Sequence, residues 1–202
     1  MGKVYTEDEI RQLIAKKGDR RAELSKTFGA FTKSVIPELR ALKIGICKKQ
    51  KNVYQLANAI GLSSANAITR TYSTKLGLLW ERIADLAPNV ISPELDLGYK
   101  IPEVDIIVLN KEDGQLYYAQ LKTQKNTLTG SQSKRTTDEL SAYKHHWFVA
   151  CIDTKCNSTM PSSLNRLVGK DFWDKIGIDY SRDIIPNLIT SIQEVEKLLF
   201  ND

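Results

Sequence analysis

The chain has 202 residues, of which 42% are hydrophobic and 26% charged, with a formal net charge of +5. That is enough apolar material for a real core, and the length suits one domain or one domain with a helical extension. The longest apolar runs, such as Trp147–Ile152, fall far short of a membrane span, and the positive balance is compatible with a polyanion partner.

Met1–Tyr5 has no apolar signal core, so an intracellular location is expected. Thr6 is an N-cap followed by Glu7, Asp8 and Glu9, acids that suit the positive end of a helix running to about Ala15. Ile10, Leu13 and Ile14 give that helix its apolar stripe. More helical pattern runs from Asp19 to about Leu42, with Pro37 near a break or a new start. Lys43–Asn52 is basic and reads as an exposed loop. Val53–Ile60 reads as a helix stopped at Gly61, with Ser63 or Ser64 capping the next. Ser73–Leu86 is a strong helix, with Leu76, Leu79, Trp80 and Ile83 on one face and Pro88 beyond its end.

Val90–Lys100 reads as extended. It leads into a hairpin, Ile101–Val108 and Leu116–Thr123, turned at Asn110–Gly114. Asn126–Glu139 is rich in Thr, Ser and Lys and reads as a loop, and Asp138–Tyr143 as a short helix. Trp147–Asp153 is an apolar strand central to a sheet. Asn157–Ser163 is a loop, Gly169–Ile178 a short helix, and Ile184–Leu199 a terminal amphipathic helix. Cys47, Cys151 and Cys156 lack metal-type spacing and read as free thiols, Cys151 in the core. The adjacent His145 and His146 are too few for a histidine metal site and read as a polar lead into a strand. The expected fold is α/β (α+β): a central mixed β-sheet flanked by helices, with a helical region over 1–72 and a core over 73–202.

The hairpin carries the chemistry. Asp105 lies on its first strand; Gln120 and Lys122, two residues apart, share a face of its second. An acid, a second oxygen ligand and a lysine beside a divalent cation can cut phosphodiester bonds. An Asp and a Lys on neighbouring strands are also a common cross-strand ion pair. The arrangement Pro102…Asp105, Gln120–Leu121–Lys122, with Glu81 on the upstream helix segment Lys75–Glu81, resembles the PD-(D/E)XK nuclease superfamily and, within it, the type II restriction endonucleases. The resemblance covers roughly residues 73–153.

It implies a restriction-endonuclease-like sheet, Mg²⁺ as cofactor, double-stranded DNA as substrate and a homodimer matched to a palindromic site. It further implies that Asp105, Gln120, the Leu121 carbonyl and Glu81 hold metal, and that Lys122 orients or activates the attacking water. The family expects Asp or Glu where this chain has Gln120. Three explanations stand open. Gln120 is a natural variant, with Glu81 or with Glu103 on the Asp105 face supplying the charge; or it is a Glu→Gln substitution that permits binding without cleavage; or the site is degenerate and only binds.

Lys125, Asn126, Gln132, Ser133, Lys134 and Arg135 follow the second strand directly and are suited to phosphate or base contacts. The segment Tyr54–Arg70 echoes helix-turn-helix spacing weakly, which places Arg70 as a further DNA contact or the segment as a dimer surface. The competing functions are a repair or junction-resolving nuclease of the same superfamily, a helix-turn-helix regulator, and an interaction domain without a nucleic-acid partner.

Overall fold

The structure, a computed structural model, describes residues 5–44, 60–124, 130–155 and 163–200. It is mixed α/β, as the sequence predicts. Helix α1 spans Glu7–Lys16 and begins in a capping box: Thr6 accepts from the Glu9 N–H, and the Glu9 side chain returns to Thr6. Helix α2 spans Leu24–Ile44 and runs unbroken through Pro37. The sequence expected a break there, because proline removes a donor and crowds the preceding turn. Packing overrides it: Val35 and Leu39 on either side are buried in the core, and Arg40 donates to the Leu198 carbonyl at 3.3 Å.

The helix expected before Gly61 lies, but for Ile60, outside the described residues. Helix α3, Ile60–Ala84, contains Ser63 and Ser64 inside it rather than as caps and crosses position 72, where the sequence placed a border. Its buried stripe is the predicted one, Leu76, Leu79, Trp80 and Ile83. Strand β1 is only Val90–Ile91. The rest of the expected extended segment folds as the short helix α4, Pro93–Leu97, because Ser92 caps it and Pro93 occupies its first position. The hairpin follows as β2, Ile106–Leu109, and β3, Leu116–Lys122, with Gly114 at φ 68° in the predicted turn. Helix α5 spans Gly130–Leu140. Strands β4, His146–Ala150, and β5, Arg166–Val168, then lead to α6, Gly169–Lys175, and α7, Ile185–Phe200.

The sheet order is β1-β2-β3-β4-β5. The first three strands pair antiparallel and the last three parallel, so β3 is the strand at which direction changes. One face, with Ile106, Val108, Ala119, Leu121, Trp147 and Val149, packs with core residues of α2, α3, α6 and α7. The other, with Ile107, Leu116, Phe148 and Ala150, packs with Ile10 and Ile14 of α1 and Leu140 of α5. Cys151 is a free, buried thiol, as expected. No helix among the described residues is long and apolar enough to cross a membrane.

Lys17, just past α1, ties this helix to the end of α3 and to α4. Its ammonium pairs with Asp85 beyond α3 and, at 3.1 Å, with Asp96 of α4. Burial holds the Asp85 carboxyl up at about 6, the neighbouring Asp96 adds to this, and Lys17 opposes it. Removing the cation leaves a buried carboxylate uncompensated, so Lys17→Met should lower unfolding free energy by about 3 kcal/mol in urea titration. A carboxyl raised in the fold favours folding as pH falls, because only the native state holds its proton between about 6 and 4. The stability of wild type relative to Asp85→Asn should therefore rise by about 2 kcal/mol over that window.

Candidate functional site

The end of β3 assembles the site. Strand β2 begins at Ile106, so Asp105 stands just before the strand and not within it, as the sequence had it. Its backbone N–H still pairs with the Ala119 carbonyl at 2.9 Å. Beyond that point β3 has no strand partner on this edge among the described residues. The Leu121 N–H, which must be satisfied once buried, instead donates to Asp105 Oδ2 at 2.7 Å. The Leu121 carbonyl leaves the strand on the same edge as its N–H. On the opposite edge, Lys122 O accepts from the Cys151 N–H at 2.8 Å.

Gln120, Glu81 and Asp105 line one cavity of about 400 Å³, together with Glu103, Lys100 and Arg135. Four of the predicted residues, Glu81, Asp105, Gln120 and Arg135, are thus brought together. Lys122 shares the Gln120 face at the end of β3 but does not line the cavity; its charge reaches Asp105. Glu81 comes from α3 and is 9% exposed. Its carboxylate accepts the Ser92 hydroxyl proton, while Ser92 Oγ also accepts from the Leu95 N–H at 3.0 Å. The cap of α4 therefore orients Glu81. Next to it, the Trp80 indole donates to Thr123 Oγ1 at 3.0 Å, fixing α3 against the end of β3.

Glu103 does not share a strand face with Asp105. Pro102 pre-sets a tight turn, closed by the Val104 N–H on the Ile101 carbonyl at 3.1 Å, and Glu103 sits in it with φ 53°. Its carboxylate accepts from Gln120 Nε2 and from Thr136 Oγ1 of α5. Among the described residues, Gln120 Oε1 is buried with no hydrogen-bond partner.

Burial pushes the Glu81 carboxyl upward; the Ser92 hydroxyl pulls it down and the Asp105 charge raises it further. Burial likewise pushes Asp105 upward, against the Leu121 N–H and the Lys122 charge, with Glu103 adding to the rise. A buried Asp105 whose charge disfavours that of Glu81, with Glu103 disfavouring its own, forms an environment that a cation relieves. Among the described residues no three His, Cys, Asp or Glu groups are arranged to hold a metal by themselves. Hard-oxygen ligands for Mg²⁺ would be Asp105, the Leu121 carbonyl, Glu81 and the unpartnered Gln120 Oε1. The unpaired buried oxygen is the feature that fits such an ion.

The polar stretch after β3 is not the expected loop. From Gly130 it is helix α5, which needs only a narrow buried face, Thr136 and Leu140, and carries an Arg135–Glu139 pair at 2.9 Å one turn apart. Arg135 is exposed at the cavity rim, 3.7 Å from Glu103, and Lys134 is exposed beside it. Gln132 and Ser133 lie in the first turn of α5. Lys125 and Asn126 lie outside the described residues. Arg70 is exposed on α3, on the helix face of Glu81 but roughly 16 Å along the axis. Gly61, at which the helix-turn-helix turn is expected, is the second residue of α3, and Tyr54–Ala59 lie outside the described residues. A larger cleft, about 600 Å³, lies elsewhere and is lined by Asp19, Arg21, Arg182 and Asp183, none of them predicted site residues.

Sequence reasoning missed Ser92 and Thr136. Ser92–Pro93–Glu94 is a readable helix start and would have found the first; nothing in a polar stretch singles out Thr136. The chain matches no family model, and no curated protein sequence matches it.

Asp105→Ala strips the acceptor from the Leu121 N–H, whereas Asp105→Asn keeps one. The alanine variant should unfold more easily than the asparagine variant by about 1 kcal/mol in urea titration.

Proposed function

We propose that the chain is a Mg²⁺-dependent, site-specific endonuclease cutting double-stranded DNA, of the type II restriction enzyme kind. The observation that carries this reading is one cavity lined by Asp105, Glu81 and a buried Gln120 whose oxygen lacks a partner, with Lys122 at the end of the same strand. Bound Mg²⁺ supplies positive charge for the phosphate undergoing attack. Asp105, held in place by the Leu121 N–H, would be a carboxylate ligand of the ion beside the scissile phosphate. Lys122 positions the attacking water and offsets charge that develops in the transition state. Glu81 adds negative charge on the far wall, its carboxylate aimed by Ser92. Arg135 and Lys134 at the rim, with Gln132 and Ser133 on the same helix, neutralise or hydrogen-bond the DNA backbone. Arg70 on the Glu81 face of α3 extends that track. Lys125 and Asn126, which link β3 to α5 in sequence, belong to the same proposed contact set. A homodimer suits a palindromic target.

The test is digestion of mixed-sequence plasmid DNA with and without Mg²⁺. Discrete fragments are expected with the ion and none in EDTA. Lys122→Ala should slow cleavage by about 10²–10³-fold while largely sparing salt-dependent DNA binding. Cleavage retained by Lys122→Ala contradicts the role of that lysine. Preference for branched over linear duplex would point to a repair or junction-resolving enzyme. Binding that ignores both metal and Asp105→Ala, without cleavage by either wild type or Gln120→Glu, would point to a DNA-binding regulator.

A further inference from the structure

The acid that the nuclease pattern draws from position 120 is here a neutral amide. The same cavity holds a glutamate where a glutamate is disfavoured. Glu103 is the third residue of the Ile101–Val104 turn, with φ 53°. That corner suits glycine or asparagine, and any longer side chain there is strained. Among the described residues it is the one non-glycine with positive φ. Strain retained at a cavity wall calls for a return from the side chain.

The hydrogen bonds show what the side chain does. Glu103 Oε2 accepts from Gln120 Nε2, and from Thr136 Oγ1 at 2.8 Å. Oε1 lies 3.7 Å from the Arg135 guanidinium. A carboxylate can only accept, so the amide nitrogen of Gln120 must face it. The amide oxygen then faces the other way. That oxygen is buried and unpartnered on a side chain only 4% exposed.

We propose that Glu103 is a positioning residue. It locks the Gln120 carboxamide so that Oε1 is offered to the cavity as an oxygen ligand, and it gives the pair the negative charge that a lone glutamine lacks. The inference rests on the nuclease reading above. Without Glu103 the amide is free to turn over and present its NH₂ to the cation. Thr136 on α5 and Arg135 on the same helix hold Glu103 in turn, so the helix at the cavity rim also steadies the ligand.

The test is Mn²⁺ binding by the whole chain, read from the electron paramagnetic resonance signal of free Mn²⁺, with plasmid cleavage in parallel. Four proteins are compared: wild type, Glu103→Gly, Gln120→Glu and the double variant. Glycine suits the turn, so the backbone is retained, and a thermal melt checks it. Glu103→Gly should weaken Mn²⁺ binding by about 10–100-fold. In the Gln120→Glu background the same change should cost nothing or improve binding, because position 120 carries its own charge and no longer sits against a second carboxylate. Equal loss in both backgrounds overturns the proposal and makes Glu103 a ligand or a structural residue. A wild type that binds Mn²⁺ and cuts DNA while Glu103→Gly matches it overturns the positioning role alone. A wild type that neither binds Mn²⁺ nor cuts DNA overturns the nuclease reading, and this inference with it.

Discussion

One hydrogen bond organises this molecule's site: Leu121 N–H to Asp105 Oδ2, 2.7 Å. It exists because β2 starts one residue after Asp105 while β3 continues past it. A buried N–H with no strand opposite must find another acceptor, and the nearest is the carboxylate. The ladder thus ends by drawing an acid into the gap that the missing strand leaves. The neighbouring residues of β3 repeat the pattern. Gln120 is taken up by Glu103, and Thr123 by the Trp80 indole that brings Glu81 alongside. Two separate pieces of chain, the turn over 101–105 and α3, are therefore registered against Gln120 and Leu121 at the end of β3 and Thr123 just past it.

The surrounding fold keeps that strand still. Strand β3 sits in the middle of the sheet, antiparallel to β2 and parallel to β4. Both faces are covered, one by the large helices and one by α1 and α5. Such a frame tolerates features that would otherwise be selected against. Two carboxylates are pushed toward neutrality by burial, one amide oxygen has no partner, and one glutamate stands at positive φ. Each opposes stability, and all four line one cavity. Concentrated local conflict of this kind in an otherwise consistent chain is characteristic of functional sites.

How far the sequence revealed this depended on where each residue's role was decided. Thr6 and Glu9 act on the adjacent backbone, and their cap was readable. Leu76, Leu79, Trp80 and Ile83 repeat at helical spacing, and their face was readable too. The hairpin and the convergence of Asp105 with Gln120 followed from strand alternation. Pro37 misled because a local breaker loses to packing along a long buried helix. Helix α5 was hidden because it buries little beyond Thr136 and Leu140, leaving a composition that matches a loop. Glu103 was placed on a strand because the turn at Pro102 is set by a bond between Ile101 and Val104 that no periodicity announces. The shared cavity of Glu81 with Asp105 is a tertiary fact, legible in the chain only through the family pattern it resembles.

The measurement that goes most directly to the centre of this account is an anomalous difference map from crystals soaked in Mn²⁺. One strong peak is expected in the cavity, within ligand distance of the Asp105 carboxylate and of Gln120 Oε1, with the Leu121 carbonyl in its shell. No peak there, or a peak at a different cleft with the Gln120 amide nitrogen facing the cavity, would contradict it.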